Sequence, residues 1–266
     1  MNATAAATEG SVRAESQGHL LHIVIDRPAK LNGFTPKMLA ELAGAYTRLE
    51  CEDAARVGVL SAQGAHFTAG LDLPKVAPLI RRGDNLVPAG CIDPLDRYPP
   101  RRAKPVVAAV KGITYTIGIE LMLAADIVVA ASDCRFAQLE VRRGIMATGG
   151  ATLRMVERAG WGNAMVHLLT GDEFDAAAAL RCNYVQEVVP AGQELRRAIA
   201  IAERIAQQAP LAVRASRASA RTGLEAGFDA AVAEFRAVNS GLSETADAAE
   251  GVRSFLEKRP PRFLGH

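Results

Sequence analysis

The chain reads as an α/β protein, a core of alternating strands and helices followed by a helical C-terminal extension. Three observations predict this. Strand-length apolar runs rich in β-branched residues (LLHIVIDRP, RVGVLSAQG, KPVVAAVKG and DIVVAAS) are bounded by proline, glycine or charged residues. Helix-patterned stretches lie between them, the order expected of an α/β core. From Gly192 onward the pattern is nearly all helix, beginning with ELRRAIAIAERIAQQ and continuing in further segments to Lys258.

Each element has a local reason. Residues 1–12 are small and polar and are expected to be disordered; 13–200 should form the core with the active site, and 201–266 the helical region. The run from Leu20 is a strand stopped by Asp26-Arg27-Pro28. Thr35 then caps a helix with Pro36 at its first position, and Met38, Leu39, Leu42, Tyr46 and Leu49 give that helix an apolar face. Leu73 to Arg102, with its prolines and mixed charges, reads as a surface excursion holding at most a short helix. GIELMLAAD, ATLRMVERAG and DEFDAAAALRC are helices, and YVQEVVP is a further strand.

Composition excludes several classes of function. The net charge of +2 is small and dispersed, and few aromatics lie near the doublets Arg81-Arg82 and Arg101-Arg102, which read as solvated loops rather than a nucleic-acid surface. Cys51, Cys91, Cys134 and Cys182 are scattered, with no metal-ligand spacing, and read as thiols in a reducing compartment. The N-terminus lacks the regions of a signal peptide, and no apolar run reaches the ~20 residues that span a bilayer. A cytoplasmic location is expected.

The segment Gly112 to Ser132 is almost wholly apolar or small, yet it carries Glu120. Charged side chains are rarely buried without a partner or a task. Gly112 to Gly118 ends a strand and enters the helix bearing that glutamate, and helix starts offer free N–H groups to developing negative charge. A second small-residue turn, Ala69-Gly70 in HFTAGLDL, could supply another N–H to the same carbonyl oxygen. Twenty positions after Glu120, Glu140 in FAQLEVRRG could return to the same cavity. Two such carboxylates could orient water and pass a proton. The bland alternative makes Glu120 a helix-start acid and pairs Glu140 with Arg142 or Arg143.

HFTAGLDL, VKGITYTIGIELMLAADI, FAQLEVRRGI and EGVRSFLEKRPPRF, in this order and together with IDRPAKLNGFTPKM, resemble the crotonase (enoyl-CoA hydratase/isomerase) superfamily from about Leu20 to the C-terminus. The resemblance implies ββα units coiled into a spiral, C-terminal helices that build homotrimers or hexamers, and an acyl-CoA thioester as substrate. It implies an oxyanion hole from the N–H groups of Ala69 and Ile117, with Glu140 giving a proton to Cα and Glu120 partnering the water. It points to Ala29, Leu31, Ala69, Gly70, Leu71, Asp72 and Lys258 for the CoA portion. No metal or cofactor is implied, CoA being part of the substrate.

Where relatives usually carry glycines before the first glutamate, this chain has Thr116-Ile117-Gly118; Leu139 replaces a frequent proline, and Ala147-Thr148-Gly149-Gly150 a Pro-Gly-x-Gly-Gly run. Ile117 retains its N–H while its branch fills space near the reacting carbons. Three readings stay open: a 2-enoyl-CoA hydratase, another crotonase reaction such as isomerisation or dehydration, and a non-catalytic acyl-CoA-binding protein. A short-chain dehydrogenase fails on motif, having neither GxGxxG after the first strand nor a Tyr-x-x-x-Lys pair.

Overall fold

The computed structural model describes residues 9–266. Six strands form the main sheet in the order β1-β2-β3-β4-β6-β9: Ser11–Gln17, Leu20–Asp26, Val57–Ala62, Val106–Val110, Ile127–Ala131 and Glu187–Val189. The β1–β2 pair is antiparallel and the remaining pairs are parallel. A second sheet joins three short strands in the order β5-β7-β8: Ile113–Tyr115, Arg135–Ala137 and Phe174–Asp175.

Both faces of the main sheet are covered, which is why its inner strands are apolar throughout instead of alternating. On one face lies α1 (Pro36–Cys51), capped by Thr35 Oγ1, which accepts from Met38 N at 3.3 Å. Its buried Met38, Leu42, Tyr46 and Leu49 join Ile23, Ile25, Leu60 and Ala108 in the larger core. The opposite face takes α7 (Glu194–Ala206), whose Ala198 and Ala202 meet Val57, Val59, Val107 and Val129.

Between these layers the chain coils. β3 leads through a bridge at Thr68 to α2 (Leu73–Arg82); β4 leads through β5 to α3 (Ile117–Ala124); β6 leads through β7 to a 3-10 turn at Glu140–Arg143 and then to α4 (Ala151–Ala159). Each turn adds one strand to the main sheet and one extended segment to the second, so the junctions leading into the helices stack beside one another. α5 (Trp161–Thr170), α6 (Ala176–Arg181), α8 (Pro210–Ala226), α9 (Phe228–Ser243) and α10 (Ala246–Leu256) complete the chain. Among the described residues no helix is long and apolar enough to cross a membrane.

Some expectations change. Of the stretch 1–12 expected to be disordered, residues 1–8 lie outside the described residues, while Ser11 and Val12 begin a strand paired with Asp26 and Ile25. The expected boundary between 200 and 201 falls inside α7, a helix held on the sheet by its alanines. Arg102 is no solvated loop residue. It is 2% exposed and donates to Asp126 Oδ2 at 2.6 Å and to the carbonyl of Ala124 at 2.5 Å.

Candidate active site

Three successive turns of the spiral deliver the pieces of one cavity of about 850 Å³. The first turn brings Leu71, the second Thr116, Ile117 and Glu120, and the third Glu140, with Thr148 and Gly149 entering from the loop before α4. Glu120 and Glu140, twenty positions apart, therefore face one space. The pairing of Glu140 with Arg142 or Arg143 is not seen: Arg142 holds Asp172 and the Thr170 carbonyl, and Arg143 reaches only the Arg142 carbonyl.

The two carboxylates differ in their surroundings. Glu120, in the first turn of α3, is 5% exposed, and its Oε1 accepts from the main-chain N–H of Gly149 at 2.5 Å and of Ala151 at 3.4 Å. Burial raises its pKa, opposed by those two hydrogen bonds and by Arg97 and Arg154. Glu140 has no such anchors, and its buried Oε2 has no partner among the described residues. Burial pushes its pKa up to about 7; its own backbone N–H opposes the rise and the charge of Glu120 adds to it. One carboxylate is thus fixed by main-chain donors, while the other is free to hold or release a proton near neutrality.

Two residues with unpartnered main-chain N–H groups line the same cavity. Ile117 opens α3, so its N–H has no acceptor within the helix and none elsewhere among the described residues. Thr116 before it sits at φ 50°, ψ −117°, a backbone region that disfavours branched residues and is found where a site enforces it. The expected first donor is corrected. Ala69 N–H is spent on the Leu31 carbonyl at 2.9 Å, and Ala69 does not line the cavity. Phe34 bridges this loop, donating to the Gly70 carbonyl and accepting from Asp72 N–H, both at 2.9 Å. Leu71, between those two, turns its N–H away from Phe34; it has no partner among the described residues, and Leu71 lines the cavity.

Leu71 also belongs to a smaller groove of about 450 Å³ with Ala69, Asp72, Arg27, Lys30 and Lys75. Asp72 pairs there with Arg27 at 2.8 Å. Lys30 and Lys75 are basic groove residues that the sequence reading missed; each is a lone lysine without a pattern to mark it. Gly70 holds the loop through its carbonyl and lines neither space, as is also true of Ala29 and Leu31, both exposed. Lys258 is exposed after α10 and is not brought to either space within the chain. Gly149 and Ala151, the anchors of Glu120, were also missed, because a main-chain donor leaves no side-chain signature.

The enoyl-CoA hydratase/isomerase family model matches residues 15–266. The chain belongs to that family. The 2,3-dehydroadipyl-CoA hydratase of Escherichia coli (strain K12) is 30% identical over 252 residues, 94% of this chain and 96% of that protein. Carnitinyl-CoA dehydratase of Proteus mirabilis (strain HI4320) is 32% identical over 260 residues, 96% of this chain and 98% of that protein. Among solved structures, a probable enoyl-CoA hydratase/isomerase from Mycobacterium abscessus superposes with a TM-score of 0.93 at 45% identity, covering 96% of this chain and 99% of that one. The coiled ββα core and helical C-terminal region described above are thus those of the crotonase superfamily.

Proposed function

We propose that this family member is a 2-enoyl-CoA hydratase. The observation that carries the reading is the convergence, in one cavity, of two free main-chain donors and two carboxylates in unlike surroundings. In this reading the thioester oxygen accepts from Leu71 N–H and Ile117 N–H. Water attacks Cβ, the π electrons move toward Cα and the thioester oxygen gains negative charge, which these donors hold more strongly than they hold the ground state. Glu120, anchored as a base, takes the proton leaving the water, and Glu140 gives its proton to Cα. The acid and base then exchange a proton with solvent before the next turnover. The smaller basic groove takes the CoA nucleotide and its phosphates, with Lys30 and Lys75 as partners. Dehydration of a 3-hydroxyacyl-CoA is the same path reversed.

Assembly belongs to the proposal. Phe228, Phe235 and Phe255 on the C-terminal helices and Leu153, Trp161 and Leu169 on α4 and α5 are more than half exposed, at 79, 52, 82, 74, 71 and 67%. Two such faces suit contacts between copies of the chain, as a homotrimer or hexamer. In that assembly Lys258 of one copy would serve the CoA of another. Sedimentation equilibrium reads the assembly state directly.

The test of the reaction is incubation of 2-enoyl-CoAs with enzyme in H₂¹⁸O, followed by mass spectrometry of the CoA product. Incorporation of one ¹⁸O in the native protein and its loss in Glu140→Gln is the expected result. A second reading, double-bond isomerisation, draws on the firm anchoring of Glu120, which leaves Glu140 as the more mobile proton carrier. Turnover without ¹⁸O that survives Glu120→Gln but not Glu140→Gln would favour it. Tight binding of CoA esters without any turnover would instead mark a binding protein.

A further inference from the structure

The cavity extends well past the reacting groups. Leu71, shared with the basic groove, marks where the CoA arm enters, and Ile117, Glu120 and Glu140 mark the reacting carbons. The lining also includes Leu39 and Leu42 on the core-facing side of α1, which are only 8% and 1% exposed. Ile80, Leu86, Val87 and Leu95 from the excursion between β3 and β4 add further apolar lining. A space that reaches buried side chains of the main core runs into the protein and is not a surface dimple.

Away from the reacting groups, the charged pair in the lining is already engaged. Among the described lining residues the single cation, Arg97, donates through Nε to Asp93 Oδ2 at 2.9 Å and through Nη1 to the Thr148 carbonyl at 3.3 Å. Asp93 in turn accepts from Leu95 N–H at 3.0 Å. A second carboxylate at the far end of a substrate would find no unpaired positive charge there, and burying it would be unfavourable. A four-carbon acyl group would leave most of the cavity without contacts.

Resting on the acyl-CoA reading above, we propose that the substrate carries a long apolar acyl chain, of about eight carbons or more, seated against Leu39, Leu42, Leu86 and Val87. Each methylene removed from water there is worth about fourfold in affinity, so chain length should be read chiefly in KM.

The experiment measures kcat/KM for trans-2-enoyl-CoAs of four, eight, ten and twelve carbons and for an eight-carbon ester ending in a carboxylate. In parallel, calorimetry measures binding of saturated butyryl-CoA and decanoyl-CoA. Six methylenes at that value set a ceiling on the order of 10³-fold, and a rise of at least about tenfold from four to ten carbons, with a comparable loss on adding the terminal carboxylate, is expected. Leu86→Trp, which shortens the cavity from a half-buried loop position, should pull the ten-to-four-carbon ratio toward one. A flat or falling series in both turnover and binding overturns the proposal, as does equal use of the carboxylate-ended ester. Tighter decanoyl-CoA binding without turnover would sustain this inference while removing the hydratase reading.

Discussion

Gly149 holds Glu120 in place: its main-chain N–H donates to Oε1 at 2.5 Å, and a Cβ built on Gly149 would collide with the Glu120 carboxyl group. The absence of a side chain at 149 is therefore a condition for the position of a carboxylate in a segment 29 residues earlier.

Gly149→Ala must displace Glu120 or the loop before α4. A misplaced base costs more in rate than in binding. We expect kcat to fall by about 10²-fold or more with KM changed severalfold at most, and circular dichroism like that of the native protein. Near-native kcat in this variant would mean that the anchored position of Glu120 is not the working one.

Glu140 links pH to both rate and stability. A proton donor with a pKa near 7 is ionised as the pH rises, so kcat/KM for hydration should decline above about pH 7 with unit slope. The same shift acts on folding. The folded-state pKa lies above the unfolded value of 4.5, so the native protein holds this proton longer and loses stability as the pH climbs from there through about 7. Each pKa unit is worth about 1.4 kcal/mol, and partial solvent access cuts the total to about 1–2 kcal/mol. Glu140→Gln should thus be more stable than the native protein by that amount at pH 8, with the gap closing below the unfolded value. Urea unfolding at several pH values measures it, and equal stability at pH 8 would contradict the burial of this group.

What could be read from the sequence follows a physical line. The parallel strands were legible because burial on both faces makes them continuous apolar runs, and Glu120 was legible because a carboxylate inside such a segment demands a reason. The edge strand Ser11–Gln17 was not: one apolar residue, Val12, is buried and the rest is polar or small, with no alternation to detect. Strands β5, β7 and β8 are two or three residues long, below any periodicity. The choice between Ala69 and Leu71 as donor depends on which N–H another backbone carbonyl takes, here that of Leu31 taking the Ala69 N–H, a contact formed only in the fold. Small residues around Gly70 drew attention to a loop that borders the cavity, but to an N–H that the fold engages elsewhere.

Ile117 is 7% exposed and lines the cavity, and in the proposed pose it stands beside the reacting carbons. In that pose its branch would limit what can sit on Cα of the substrate. Ile117→Ala should raise kcat/KM for a 2-methyl-2-enoyl-CoA relative to its unbranched counterpart by about tenfold or more, while costing about 2–4 kcal/mol of stability through the space it opens. An unchanged ratio would show that the side chain does not border the reacting centre.

The loop that carries Asp93 and Arg97 into the cavity is gripped from its other side by α8. Asp96, 5% exposed and at φ 53°, pairs with Arg217 at 3.0 Å and also with Arg221. Arg217 further donates to Asp126 Oδ1 at 2.7 Å and to the Arg102 carbonyl at 2.7 Å, so one side chain joins the cavity loop, the end of α3 and the buried Arg102. Without Arg217, Asp96 keeps Arg221 and Asp126 keeps Arg102, so the cost is that of the lost charge-assisted hydrogen bonds, about 1.5–3 kcal/mol. Arg217→Ala should lower stability by that order, and by freeing the cavity loop should raise KM for the acyl-CoA more than it lowers kcat. Arg217→Lys, which keeps the charge but can reach fewer of these acceptors, should fall between the two. Thermal unfolding and steady-state kinetics on both variants separate the effects: a stability loss with KM unmoved would mean that α8 braces the core without shaping the cavity.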